Sequence, residues 1–308
     1  MSKNKIAVIG YGYWGKNHTR VLNELGCLSG VYDPLINNTN TDIKFFKNID
    51  DLVSNSTAAI VSTPATTHFE IAKSLLSDLD LLIEKPMAMS VKECRELESL
   101  SISNKKIIMV GHQLHFHPAI QKIKSIIKKG KLGKTKYIYS NRLNMGKIRS
   151  QENVLWSFAP HDISLILEIV NSEVESLKIQ GSTIINKKVE DATLTNFTFK
   201  NGINAHIFVS WFHPFKEQRF VVIGDKGTIV FTDSVENNKL VLYQTEINSK
   251  GLEISNHVSQ VVSYENSEPL KNQAIYFIEA IKTRKCEVNN ASHGRKVIEV
   301  LEKSTELL

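Results

Sequence analysis

The stretch Lys5-Ile6-Ala7-Val8-Ile9-Gly10-Tyr11-Gly12-Tyr13-Trp14-Gly15 limits the fold of this 308-residue chain more than any other. A short apolar run reads as a buried strand, stops at glycine, and gives way over residues 17–25 to apolar spacing of helical period. Strand, glycine turn and helix in that order make a dinucleotide-binding unit. Gly10 permits the tight turn, Gly12 lets backbone approach a pyrophosphate, and Gly15 lets the helix pack closely on the strand. Tyr13 and Trp14 lie inside the loop, and the amides of the helix start face the anion. The next strand, 29–32, ends at Asp33, 18 residues beyond Gly15. An acid there binds ribose hydroxyls and repels a 2′-phosphate, so the expected cofactor is NAD.

The alternation continues with a short helix at 50–53, a strand at 58–61, the turn Ser62-Thr63-Pro64, a helix at 69–76, a strand at 79–83, a helix at 91–100 and a strand at 107–110. Repeated units of this length imply a parallel sheet with helices on both faces and ligands beyond the carboxyl ends of the strands. Gly10, Asp33, Ser62, Glu84 and Gly111 each follow a strand. One rim therefore gathers the glycine loop, Ser62, Thr63, Pro64, Glu84, Lys85 and Gln113 as cofactor contacts. His68 starts a helix, where it can contact the cofactor or, equally, cap or pack. In Glu84-Lys85-Pro86 the proline ends its strand by removing a donor and fixing φ, which delivers Lys85 to the sheet edge. An X-Pro bond is cis at low cost, so the turn can aim the amine sideways into a cleft.

After Gly111 the texture changes. His112, His115 and His117 form no i, i+4 pair and have no carboxylate close by in the chain, so structural roles are expected and no metal. Cys27, Cys94 and Cys286 are odd in number and widely spaced, which predicts neither disulfide nor zinc. A net charge of +6 suits an acidic ligand. The densest basic run, 122–136, alternates with Ile123, Ile126, Ile127 and Leu132, the pattern of an amphipathic helix with a wet face. Aromatics do not interleave with it, so nucleic acid is not the expected partner. No apolar run approaches a membrane span, and a cytoplasmic location is expected. From Tyr137 onward β-rich segments dominate, at 137–142, 174–179, 192–199, 204–211, 219–223, 228–231 and 239–243, with helices at 274–282 and 294–308. Their alternation suits an antiparallel sheet covered on one face. The fold class is α/β: an N-terminal Rossmann domain, 1–118, and a C-terminal α/β domain with an open, largely antiparallel sheet, 119–308, whose last helix is free to pack back on the first.

The second half concentrates its chemistry in 141–149 and 153–162. Arg142, Lys147 and Arg149 suit diphosphate or carboxylate oxygens, arginine best through bidentate contacts. Asn144, Asn153 and Trp156 stand beside them as substrate contacts. His161 follows Pro160 at the start of an apolar helix, where the local field favours a neutral imidazole able to accept a proton.

The glycine loop, Glu84-Lys85-Pro86 and the His161 segment together resemble the Gfo/Idh/MocA oxidoreductases over essentially the full chain. The resemblance implies Lys85 and His161 as the catalytic pair, a small-molecule substrate and dimers or tetramers formed through the C-terminal sheet. Many such proteins carry an aspartate four residues before the histidine; here that position is Ser157, and Asn153 or Asp162 can take part of its role, although Asp162 can equally cap the following helix. The run 141–164 is similar, more narrowly, to bacterial nucleotide-sugar dehydrogenases. That implies oxidation at C3 of a UDP-N-acetylhexosamine-type substrate to a 3-keto sugar for amino-sugar and surface-glycan synthesis. A free sugar or inositol as substrate, and a non-catalytic NAD-bound sensor, are the rival expectations.

Overall fold

Runs of three to five mostly apolar residues are too short for helices, and in this computed structural model they form strands, all but the edge strand at Leu28–Tyr32 buried on both faces. The structure describes residues 5–36, 42–146, 148–149, 152–185, 187–237, 239–247 and 254–308. They divide into two compact units, Met1–Gln113 with Glu268–Glu299 and Leu114–Ser267 with Val300–Leu308.

In the first unit the order is β1 (Ile6–Ile9), α1 (Tyr13–Glu24), β2 (Leu28–Tyr32), α2 (Ile49–Asn55), β3 (Ala58–Val61), α3 (His68–Leu75), β4 (Asp80–Ile83), α4 (Val91–Ser103) and β5 (Ile108–Val110). All five strands are parallel, in the order β2-β1-β3-β4-β5. The change of direction after β2 makes the gap between β1 and β3 a topological switch point, where ligands of such sheets bind. The register aligns Tyr32, Ile9, Val61, Ile83 and Val110 in one row. The residues that follow, Asp33, Gly10, Ser62, Glu84 and Gly111, therefore share one rim.

The second unit contains α5 (Pro118–Lys128), β6 (Thr135–Met145), α6 (Val154–Phe158), α7 (Pro160–Val170), β7 (Val174–Ser182), β8 (Ala192–Phe199), β9 (Asn204–Ser210), β10 (Phe212–Gly224), β11 (Gly227–Thr232), β12 (Leu240–Ile247) and β13 (Ile254–Val261). The eight strands run β13-β12-β11-β10-β6-β9-β8-β7, antiparallel except for the β6–β9 pair. One face is covered: α6 lies on β8 and β9, α7 on β6 and β9, and α5 on β11. The chain closes with α8 (Pro269–Thr283) and α9 (Ala291–Glu306). Helix α8 packs on α1, and Asn289 and Asn290 line the outer edge of β5, where the Asn289 carbonyl accepts the Val110 N–H at 2.7 Å.

The basic run expected as one helix over 122–136 is helical only to Lys128. Gly130 and Gly133 take φ of +67° and +69°, a conformation that ends a helix, and β6 begins at Thr135. The three clustered histidines part company. The His112 carbonyl accepts from Asn289 in the first unit, whereas in the second His115 pairs with Glu168 and His117 caps α5 by accepting the Ala119 N–H.

Candidate active site

Helix α1 starts unlike its neighbours. Asn48 caps α2, with Asp50 and Asp51 in its first turn, and Ser90 and Glu93 form a capping box on α4. Helix α1 has Gly12 at the cap, no capping side chain and no acid in its first turn. A Cβ at Gly12 would meet nothing within 4 Å, whereas one at Gly15 would lie 1.9 Å from the Gly10 carbonyl oxygen. Open space in front of uncapped amides is what a pyrophosphate requires. Gly10, at φ +89°, makes the turn, and Tyr13 and Trp14 stand exposed beside it. Asp33 accepts the Tyr11 N–H at 2.7 Å through one oxygen and the Leu35 N–H at 2.9 Å through the other. Those bonds aim its carboxylate at the loop and leave lone pairs for ribose hydroxyls. These residues fit NAD.

Other rim residues serve the rim itself. The Ser62 hydroxyl donates to the Ile9 and Gly10 carbonyls, and Thr63 and Pro64 hold Thr67. His68 is buried, one ring nitrogen 2.7 Å from the Pro86 carbonyl and the other 2.9 Å from that of Thr63, so its nitrogens meet backbone. Glu84 turns inward to His18, with Oε1 2.8 Å from Nε2, and accepts the Lys85 N–H at 3.2 Å. Those partners make Glu84 an anchor of the rim. Lys85 is half-buried at the rim, joined to Pro86 by a cis bond, and Gln113 ends the first of the unit's two stretches of chain. His18 was not among the expected residues. The one sign of it is its spacing from Gly15, Val21 and Leu22, which puts it on the buried stripe of α1.

In the second unit His161 occupies the first turn of α7, behind Pro160. Its neighbour Asp162 takes Arg142 Nε on Oδ2 at 2.7 Å, and Arg142 Nη2 and the Ser140 hydroxyl on Oδ1 at 3.1 and 2.7 Å. Burial works against the Arg142 charge, yet the Asp162 carboxylate raises its pKa above the ordinary arginine value. Arg142 thus has one edge of its fork, Nε and Nη2, engaged by Asp162, and of the two roles expected for Asp162 the structure shows a tie from α7 to β6. Arg149 pairs with Glu152. Asn153 caps α6 through the Trp156 N–H and donates to Glu190, and the Trp156 indole donates to Thr305 at 2.9 Å. Asn144 is half-buried on β6, Ser157 is buried in α6, and Lys147 lies outside the described residues.

A glycine loop at an uncapped helix start, with an acid and a lysine on the same rim, defines a dinucleotide-binding domain of oxidoreductase type. The model of the GFO/IDH/MocA oxidoreductase family, described as an NAD-binding Rossmann fold, matches residues 4–112, and that of the family's C-terminal domain matches 120–230. The chain belongs to the Gfo/Idh/MocA oxidoreductase family. It is 26% identical to a UDP-N-acetylglucosamine 3-dehydrogenase of Acidithiobacillus ferrooxidans over 213 residues, 67% of this chain and 66% of that protein, just under two thirds of its length. An inositol 2-dehydrogenase/D-chiro-inositol 3-dehydrogenase of Lactiplantibacillus plantarum is 21% identical over 73% of this chain and 70% of its own. The solved structure of the Acidithiobacillus enzyme matches with a TM-score of 0.87 at 21% identity, covering 100% of this chain and 98% of that one, a likeness of fold. Among the described residues no helix is long and apolar enough to cross a membrane.

Proposed function

We propose that the chain is a dehydrogenase oxidising a sugar CH–OH group, at C3 of a UDP-N-acetylhexosamine-type nucleotide-sugar. The observation that carries the reading is the shared rim: Lys85 directly follows Glu84, which lies on the same strand-end row as the open glycine loop and Asp33. NAD supplies the hydride acceptor. The first unit holds it, with α1 amides toward the pyrophosphate and Asp33 toward the ribose, and Lys85 orients the substrate hydroxyl and stabilises oxyanion character as the carbonyl forms. His161 accepts the hydroxyl proton, its ring set by a helix turn that Asp162 fixes to β6. The C3 assignment leans on likeness to the Acidithiobacillus enzyme. NAD mixed with a panel of UDP-sugars, read by absorbance at 340 nm and product mass, tests it; a 3-keto UDP-sugar is expected, and oxidation of inositol alone overturns it.

One observation favours a free sugar or inositol as the rival substrate: both arginines assigned to the diphosphate already have acidic partners. We also propose a homo-oligomer built on the sheet face turned away from α5, α6 and α7. Cross-strand partners Val241, Val230, Val221, Tyr139 and His206 share that face in one register row, with Tyr139 stacked on His206 at 5.2 Å. Such a row suits a second copy, and light scattering of the parent and of Val230→Lys reads it.

A further inference from the structure

We propose that His18 and His68 are positioning residues that couple Lys85 to the two loops receiving NAD. The inference rests on the reading of Lys85 given above and concerns what holds it. Ladder bonding on β4 ends when the Glu84 N–H donates to the Val61 carbonyl at 2.9 Å, so Lys85 lies beyond the part of the chain that the sheet fixes. Two imidazoles take over on either side. Before Lys85, the Glu84 carboxylate receives His18 Nε2 at 2.8 Å, accepts the Lys85 N–H, and lies so close over Gly111 that a Cβ there would come within 2.9 Å of Oε2. After Lys85, the Pro86 carbonyl faces His68 Nδ1 at 2.7 Å. Both rings are 1% exposed, so neither reaches a ligand directly.

The far ends of the clamps are the informative part. His18 rides on α1, the helix that opens at the glycine loop, and its ring is fixed against Glu84. The other nitrogen of His68 lies 2.9 Å from the Thr63 carbonyl, in the turn that follows β3 at the switch point. A shift of either loop on cofactor binding is thereby handed to the residue before or after the lysine. Buried side chains in close contact pass such shifts on because the interior cannot absorb them.

The two arms of His68 can be cut separately. Asparagine places its amide nitrogen near the position of Nδ1 and glutamine near that of Nε2, so His68→Asn keeps the Pro86 arm and His68→Gln keeps the Thr63 arm. His68→Gln is expected to lower kcat at least tenfold with a smaller change in the NAD dissociation constant, and His68→Asn to weaken NAD at least tenfold with a smaller change in kcat. His18→Leu should lower kcat tenfold or more, and His18→Gln, which keeps a donor for Glu84, should recover most of that loss. A second readout needs no turnover: acylation of Lys85 by an amine-reactive ester, followed by peptide mass spectrometry with and without NAD. NAD should change the rate at least threefold in the parent, and that response should fall in His68→Gln and in His18→Leu, each of which leaves the other clamp in place, while NAD still binds. Equal proportional losses in kcat and NAD affinity across both pairs, or an NAD response in the two broken-arm variants matching the parent's, would overturn the proposal. If one pair fails to fold, the other decides by the same criteria. Lys85→Ala that keeps its turnover would instead overturn the catalytic reading, and the labelling experiment would still decide the coupling.

Discussion

Each unit sets its candidate catalytic side chain through an acid one residue away in the chain: Glu84 before Lys85, and Asp162 after His161. The acids are held differently. Asp162 is 2% exposed in its side chain and takes three donors from β6, two of them from an arginine that keeps its charge at any ordinary pH. Glu84 is 12% exposed and takes one imidazole and one backbone amide. A buried carboxylate is tolerated only with full compensation, so the second anchor is permanent and deep. The first leans on a single side chain from the helix that receives the cofactor. The contrast teaches that the rim proposed to admit a ligand is tied lightly, whereas the helix carrying His161, the proposed proton acceptor, is bolted down.

The largest expected effect lies at the deeper anchor. Arg142→Met strands the Asp162 carboxylate in the interior and should cost about 3–5 kcal/mol in urea unfolding. Arg142→Met combined with Asp162→Leu should recover most of that loss. A single variant with an unchanged midpoint would break the comparison at its strongest point. His18→Leu removes one hydrogen bond to a partly screened acid and should cost less, about 1–3 kcal/mol by the same measurement.

A third acid, Glu168, lies farther along the same α7 and sharpens the comparison through pH. Burial pushes its pKa up, but His115 at 2.7 Å and the Lys124 ammonium beside it bring the carboxyl down to about 2. The folded value lies below the unfolded one, so the stabilisation is complete above the ordinary carboxylate range and is lost as pH falls toward 2. Burial also lowers the pKa of His115, which adds a loss in the same direction below the ordinary histidine value. Glu168 is about one-third exposed, so screening holds its share to about 1–2 kcal/mol. Unfolding midpoints at pH 7 and pH 3 should fall less in Glu168→Gln than in the parent; equal slopes would remove Glu168 from the account.

The rim was legible in the sequence because short apolar runs punctuated by glycine, proline or acid leave little choice of strand end. Gly10, Asp33, Ser62, Glu84 and Gly111 do follow aligned strands. Strand β13 escaped notice because Ile254-Ser255-Asn256-His257-Val258-Ser259-Gln260-Val261 is polar. It lies at the sheet edge and pairs on one side only, so it lacks the apolar signal of a covered strand. Likewise the start of β10 at Phe212, well before 219, was missed because His213, Lys216, Glu217 and Gln218 interrupt its apolar signal. The anchors were harder. Nothing near His18 points to Glu84, 66 residues away, since the parallel sheet alone brings them together. For Arg142 the hint was there: Ser140 and Arg142 are two apart and share the inward face of β6 with Ile138, so a polar partner had to lie beneath them.

The smallest expected effect separates charge from burial. Arg149 and Glu152 repeat the arginine–carboxylate chemistry of Arg142 and Asp162, but their side chains are 56% and 24% exposed. Water competes for both ions, salt screens them, and ordering two long side chains offsets most of the attraction. Arg149→Ala should therefore change stability by less than about 0.5 kcal/mol, in contrast to the several expected at Arg142. The same variant also bears on substrate. Breaking the Glu152 pair in the folded protein costs little, so Arg149 can be drawn to a diphosphate, and its removal should raise KM for a UDP-sugar severalfold while leaving the NAD dissociation constant unchanged. A free sugar or inositol offers no such anion and should show no change in KM. If Arg149→Ala destabilises the chain as much as Arg142→Met, burial is not what distinguishes the two pairs, and the contrast between lightly and deeply tied acids falls with it.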